Sequence, residues 1–534
     1  VLTLNLISNT QTVMKKIITL AVLVLLMGSC TKNFDEINTN PYQITDESLT
    51  QDFNHVGAYF QGLLSNLQGH QVEEDLLTDS FVRHFGTPTP FVSNRNNTTY
   101  YVTWNSFWGR IYGSVMSPSR QVIKIAEEGG YDVFEAWAKL IQVMGLSRLT
   151  AYHGPLIYSE YGKTTTPILY DSEQTLYNSF FTVLDEVQTV FSANKTYPGM
   201  KKFDASYGGD VNKWIKLVNS MRLRLAIRIS KANPTLAKTQ GEKAIADPGG
   251  LILTNADNFN ISLYGGKMPL AVICFEWQDT RMGAGLEEFM VGLKDPRIGK
   301  YFSPAKDAAL YADHPAFPYK GIASGAYLGA KDDRQLYSEV SEDWKSVTSR
   351  RFFTAAEVHF ALAEAALRNW TGAGSAKQHY EEGIKMSFQN WGAGGVDAYL
   401  ADATSTPINY VDPKDSRNSY TTRSTVTVAW DEAASNEIKL EKIITQKWID
   451  ALTNANEVWC DHRRTGYPKL HYVPKNDSNQ DWGVIPADGF LQRMPFVDAE
   501  RNSNAAGVAD AVTKMGGPDL ISTRLWFAPA VPNF

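Results

Sequence analysis

Residues 354–391 read TAAEVHFALAEAALRNW, then TGAGS, then AKQHYEEGIKMSFQNW. Thr354 stands where a helix N-cap belongs, ahead of an alanine-rich run over 355–370. The Gly/Ser link 371–375 breaks that run, and a second helical pattern fills 376–391. Two helices joined so tightly must lie antiparallel. The alanines and Gly383 leave room for close approach, and large residues such as Tyr380 fill the space beneath the next pair. A helix pair is therefore the unit from which the fold is read.

Working outward, the same three/four apolar spacing recurs. It predicts helices over 48–69 (Leu49, Phe53, Val56, Phe60, Leu63, Leu64, Leu67), 103–128, 133–152, 172–193 and 210–231. Further on it predicts helices over 437–452 and near 455–464, ended by Gly466 and Pro468. The small-aromatic-small spacing of a tetratricopeptide second helix fits Ala376-Tyr380-Gly383. Leu176-Phe180-Val183 and Ala237-Gly241-Ala244 fit it more loosely. Between these runs, 249–349, 392–436 and 466–534 are rich in Gly, Pro, Asp and Ser, and the last reads as coil with short strands. The expectation is a mostly α protein of tetratricopeptide-like helix pairs carrying long loop-rich insertions. A generic set of helical hairpins is the plainer alternative.

Composition narrows the class. The chain has 534 residues, 43% hydrophobic and 20% charged, which excludes a disordered polymer. Its net charge of −6 offers no basic excess for phosphates, so no nucleic acid is expected. Three cysteines, Cys30, Cys274 and Cys460, exclude a disulfide scaffold. Met14-Lys15-Lys16, the apolar run 17–27 and Gly28-Ser29-Cys30 have the layout of a signal peptide over 14–29. The run is too short to span a bilayer. Small residues directly before Cys30 resemble a bacterial lipobox, which makes Cys30 the expected lipidation site. A free cysteine after an ordinary signal peptide is the alternative. Residues 1–13 read as an over-extended start or non-native sequence, and 30–41 as a polar tether ending in Pro41. Cys274 and Cys460 read as two buried free thiols, with one disulfide as the alternative.

Motifs for chemistry mostly fail. There is no H-E-x-x-H and no G-x-S-x-G. Gly162-Lys163-Thr164 lacks the glycine a phosphate loop needs, since Ile157 stands there. Gly283 and Gly285 start a dinucleotide fingerprint that Glu288 breaks. No cofactor is expected. Asp477, Asn479, Asp481 and Asp488 have part of a calcium-loop spacing, but Gly483 is one place late, so a polar surface loop competes with calcium. Aromatic residues remain. Trp277, Trp344, Trp430, Trp482, Tyr327 and Tyr337 lie where helical periodicity is absent, and Tyr100, Tyr101, Trp104 and Asn105 combine rings with an amide. A flat ring stacks on the C–H face of a sugar while an amide bonds its hydroxyls. Core burial is the competing reading for each ring. Tyr100, Tyr101, Trp104, Asn105, Trp277, Tyr327, Tyr337 and Trp344 are the candidate ligand contacts.

Several segments carry a resemblance. They are Cys30 with Asn33-Phe34-Asp35-Glu36-Ile37-Asn38, the basic helix 219–230, Asp295-Pro296-Arg297 with Tyr301-Phe302, and Thr354–Ala366. Lys442–Trp448, Glu457-Val458-Trp459 and Arg463–Pro468 complete the set. In this order they resemble the SusD/RagB outer-membrane lipoproteins. The resemblance implies a single SusD-like α-α domain over 42–534. It implies a lipid-anchored protein on the cell surface of a Gram-negative outer membrane. Such a protein captures an oligosaccharide, or in RagB-like members a peptide, and delivers it to a SusC-like TonB-dependent transporter without catalysis. An all-α glycoside hydrolase and a protein-binding helical repeat are the rivals. Glu357, Glu364, Arg222, Arg224 and Arg228 read as scaffold residues with buried partners.

Overall fold

The computed structural model describes residues 13–22 and 50–534. Cys30, the whole 30–41 tether and part of the signal-peptide segment lie outside the described residues. Two units are distinguished, one up to His55 and one from Val56 to Phe534. In the first, residues 13–22 are helical. No helix among the described residues is long and apolar enough to cross a membrane.

The second unit is a succession of helix pairs. Its main helices are α1 (Tyr59–Ser65), α2 (Ser117–Gly129), α3 (Asp132–His153), α4 (Glu173–Ala193), α5 (Val211–Arg228) and α6 (Pro234–Ala246). They continue as α7 (Ala355–Leu367), α8 (Ala376–Trp391), α9 (Asn436–Asp450), α10 (Ala455–Thr465) and α11 (Ala505–Met515). From α2 to α6 each helix packs on the next, and α7 packs on α8. Helix α7 also joins α5 to α9, and α9 packs on α10. The caps explain the boundaries. Ser172, Asp210, Asn233, Thr354, Ser375 and Ser435 each accept a backbone N–H in the first turn of α4 to α9. Gly392 and Gly466 close α8 and α10 in the left-handed region.

The small residues of the repeat pattern meet large partners. A Cβ on Gly383 would stand 2.7 Å from the Phe360 ring, and one on Gly241 would stand 2.1 Å from the Trp370 ring. Leu176, Phe180 and Val183 are buried on α4. An aromatic chain threads the early helices. Phe60 stacks on Trp137 with ring centres 3.7 Å apart, and Trp137 meets Trp214 edge-on at 5.3 Å.

Buried ion pairs bind the helices across long sequence separations. Arg224 on α5 forks onto Glu357 on α7 at 2.7 and 2.6 Å. Arg228 pairs with Glu457 on α10, and Arg464 on α10 reaches Glu364 on α7, its Nη2 2.8 Å from Oε2. Arg297 forks onto its near neighbour Asp295, with its Nη2 2.6 Å from Oδ2, and the same nitrogen reaches Gln446 on α9 at 2.8 Å. Burial pushes the Glu364 carboxyl up, but the Arg464 and Arg368 guanidinium groups beside it hold it down to about 2. Cys274 and Cys460 are both buried and free.

Two antiparallel ribbons pin the loops. Strand β1 (Phe85–Gly86) pairs with β3 (Arg281–Met282), and β2 (Phe259–Ser262) pairs with β4 (Ser349–Phe353).

Some expected boundaries are corrected. Within 48–69 the chain forms short turns at Gln51–Phe53 and Asn54–Gly57, then α1, because Asp52 and Phe53 adopt positive φ. A π-helical turn follows at Gln71–Asp79. The helix expected from 103 starts only at Phe107 and passes a π turn at Ile111–Met116 before α2. Asn97 explains the delay. Its side chain takes the N–H groups of Thr103 and Trp104, each at 2.9 Å, and donates to the Trp104 carbonyl at 2.9 Å. The segment expected as coil with strands after 466 instead carries helices at Asp498–Ser503 and α11.

Candidate functional site

The segment 87–105 is tied by hydrogen bonds to chain neighbours of several surface aromatic residues. Thr89 Oγ1 donates to Asp279 at 2.6 Å, two residues from Trp277. Asn94 Nδ2 donates to the Ala326 carbonyl at 3.0 Å, beside Tyr327. Phe91 meets Trp104 edge-on at 5.8 Å. Downstream, the Asp477 N–H donates to the Thr99 carbonyl at 2.7 Å, which draws the 477–482 loop alongside. A capping box between Asn96 and Thr99 and left-handed backbone at Val92, Ser93 and Asn94 hold the segment folded back on itself.

A cleft of about 430 Å³ opens here. Trp104, Asn105 and Trp482 line it together with Val72, Phe496 and Asp498. Asn105 Nδ2 donates to the Pro495 carbonyl at 2.8 Å, and its Oδ1 is buried without a hydrogen-bond partner. The cleft thus sets two indole rings beside the Asn105 side chain, whose amide is turned into the protein. Arg501 lies over Trp482, its guanidinium carbon 4.4 Å from the ring centre.

The remaining candidates divide by burial. Trp277 is 44% exposed and its carbonyl accepts from Lys331 Nζ at 2.7 Å. Tyr101 and Tyr327 are half-buried, with Arg95 and Arg417 each 4.1 Å over their rings. Those two rings have one face covered by a guanidinium. Tyr100, Tyr337 and Trp344 are corrected to core positions. Tyr100 accepts from Arg83 Nη2 at 2.9 Å, Tyr337 donates to Asp412 at 2.8 Å, and Trp344 donates to the Tyr301 carbonyl at 3.1 Å. Each has found an internal partner for its polar atom, which is why it is buried. The stacking arginines were not marked by any sequence spacing, since Arg417 is far from Tyr327 along the chain.

The calcium spacing does not converge. Asp477 pairs with Lys475, the Asn479 side chain accepts from the Asp481 and Trp482 N–H groups, and Asp488 lines another cavity. Among the described residues the cluster with metal-ligand geometry is Glu287, Asp313 and His314. Lys320 Nζ already stands 2.7 Å from Glu287 and supplies the positive charge there.

Comparison with known proteins matches this architecture. The family model described as SusD-like, Susd and RagB outer membrane lipoprotein, matches residues 36–528. A chitin-binding SusD homolog from Flavobacterium johnsoniae is 38% identical, with a TM-score of 0.84 over 90% of this chain and 100% of that one. A SusD homolog from Bacteroides uniformis is 34% identical, with a TM-score of 0.80 over 89% of this chain and 99% of its own. One from Bacteroides vulgatus is 32% identical, with a TM-score of 0.83 over 90% and 99%. No curated protein matches the chain in sequence.

Proposed function

Because the chain belongs to the SusD-like family of outer-membrane lipoproteins, we propose that it captures a glycan on the cell surface and passes it to a SusC-like TonB-dependent transporter. Cys30 is the proposed lipid attachment point. The cleft lined by Trp104 and Trp482 carries the reading. Indole rings bind the apolar C–H face of a sugar. Trp277, Tyr101 and Tyr327 extend the contact surface from the segment 87–105.

An N-acetylglucosamine oligomer is the first ligand to test. The Flavobacterium johnsoniae relative is described as chitin-binding and is similar along nearly the whole chain. The protein acts by binding, not by turnover. Among the described residues Asp498 is the one carboxylate that lines the cleft. A retaining or inverting hydrolase needs two carboxyl groups free to act across one bond.

Calorimetric titration with chito-oligosaccharides and maltooligosaccharides tests the proposal. Saturable binding should appear with one series, and Trp104→Ala should weaken it about tenfold, the scale of a lost aromatic contact. Absence of saturation with every glycan and peptide pool, or new reducing ends on prolonged incubation, would overturn it.

A further inference from the structure

A second cavity, of about 340 Å³, lies where α10 ends and the carboxy-terminal segment returns. Five cationic side chains line it: Lys231, Arg423, Arg463, Arg464 and Arg524. Asp488 is the sole carboxylate in its lining. The two helix arginines are spoken for. Arg464 is bound by Glu364 and Asp461, and Arg463 donates to the Ala151 and Gln492 carbonyls, both at 2.7 Å.

The other three are different. None of them forms an ion pair among the described residues. Arg423 Nη1 donates to the Leu470 carbonyl at 2.8 Å, and the guanidinium carbon lies 4.1 Å over Tyr472. That stacking holds the fork in place while leaving its remaining N–H groups without a carboxylate. Among the described residues Arg524 donates to the Ala528 carbonyl alone, at 3.4 Å. Lys231 Nζ donates to the Arg464 carbonyl at 2.7 Å and to Asn533 Oδ1 at 3.3 Å.

The charges are felt by one another. Burial, with Arg464, Arg524 and Arg368 nearby, brings Lys231 down to about 8. His462, on the same wall, is pushed down to about 3 by burial and by Arg83 and Arg423, so it stays neutral at ordinary pH. A concave site with this surplus of positive charge gains by taking in an anion.

We propose that this cavity binds a tetrahedral oxyanion of the phosphate or sulfate class, gripped by Arg423, Arg524 and Lys231. Guanidinium forks and an ammonium match such an anion in charge and donor geometry. The phosphate arrives either free in solution or as the headgroup of a lipid, and the chemistry of the site is the same for both. The site is distinct in its residues from the aromatic cleft.

The test is calorimetric titration with inorganic phosphate and with sulfate at low ionic strength, beside co-sedimentation with phosphatidylglycerol and with phosphatidylcholine vesicles. Arg423→Gln and Arg524→Gln are measured separately, each first checked for an unchanged thermal melt. Losing one charged hydrogen bond should weaken binding roughly 10- to 100-fold. Saturable phosphate or sulfate binding weakened by either substitution supports a free anion. Preferential sedimentation with phosphatidylglycerol alone, lost in both variants, supports the lipid headgroup. No saturation and no vesicle preference, or binding that both substitutions leave unchanged, would overturn the proposal. Retention of glycan affinity by both variants would keep this outcome separate from that of the aromatic cleft.

Discussion

Two buried glutamates show how neighbours decide the sign of a charge effect. Glu364 sits between Arg464 and Arg368 and is held at about 2. Its stabilisation is complete above the unfolded value near 4.5 and is lost as pH falls through about 2. Glu364→Gln would leave two guanidinium groups buried without their carboxylate. We expect a loss of about 3–5 kcal/mol in urea unfolding at neutral pH, the cost of breaking a buried pair. Glu288 forms no ion pair among the described residues. Burial raises it to about 8, against the donation of Thr422 Oγ1 at 2.6 Å. Its proton is held more tightly in the folded state, so stability declines as pH rises from about 4.5 through 8. Glu288→Gln should remove this slope, and thermal melts from pH 5 to pH 9 should fall less steeply than those of the unaltered protein. Each tenfold difference in proton affinity between the folded and unfolded chain is worth about 1.4 kcal/mol. An equal slope in both proteins would refute it. The scaffold role of Glu357, Glu364, Arg224 and Arg228 was legible in the sequence, because charged residues on an apolar helix face demand partners. Their partners were not. Periodicity tells which way a side chain points, never what it meets from a distant segment. The same blindness placed Tyr100, Tyr337 and Trp344 among the ligand contacts.

Helices whose ends carry capping residues were legible almost to the residue. Thr354 and the Gly/Ser link delimit α7 and α8 as expected, and Ser172 and Asp210 start α4 and α5. One failure occurred where a side chain just outside the segment, not the segment's own apolar pattern, satisfies the backbone. Asn97 keeps 103–106 out of a helix that its apolar spacing would permit. Helix α11 was missed although Asn504 precedes it and Gly516 ends it in left-handed backbone, because its first turns are small residues and its large apolar side chains are only Val508, Val512 and Met515. The packing of the pairs gives a test at this scale. Gly383→Ala would press a methyl into the Phe360 ring, and Gly241→Ala one into the Trp370 ring. Both rings are buried, so the helices themselves must part. Each substitution should cost about 1–3 kcal/mol by overpacking, more than the gain of about 1 kcal/mol that alanine brings inside a helix. A lower urea midpoint with unchanged slope would show it, and a raised midpoint would mean that the pairs are looser than these contacts imply.

Across the whole molecule, the candidate site is made mostly of loops and short helical turns drawn from distant parts of the chain. The segment 87–105 is tied to Asp279, Ala326 and Asp477, which lie far apart in the chain. Only the folded helix scaffold brings these segments together, and for that reason the rings could be named from the sequence but not assembled into a cleft. This separates two kinds of damage. A scaffold change such as Gly241→Ala lowers stability yet leaves that segment's bonds in place. A change at Asn97 acts the other way. Asn97 is not among the residues lining the cleft, but it fixes the backbone of Thr103 and Trp104 through three hydrogen bonds of 2.9 Å. Asn97→Ala strands those groups, at about 1–3 kcal/mol for a buried unsatisfied polar group. We therefore expect Asn97→Ala to weaken glycan binding roughly 10- to 100-fold, matching or exceeding the loss from Trp104→Ala. Gly241→Ala should bind normally below its melting temperature. Calorimetry on the three variants decides the matter: if Asn97→Ala binds as tightly as the unaltered protein, the Trp104 turn does not position the ligand and the cleft is not the capture site.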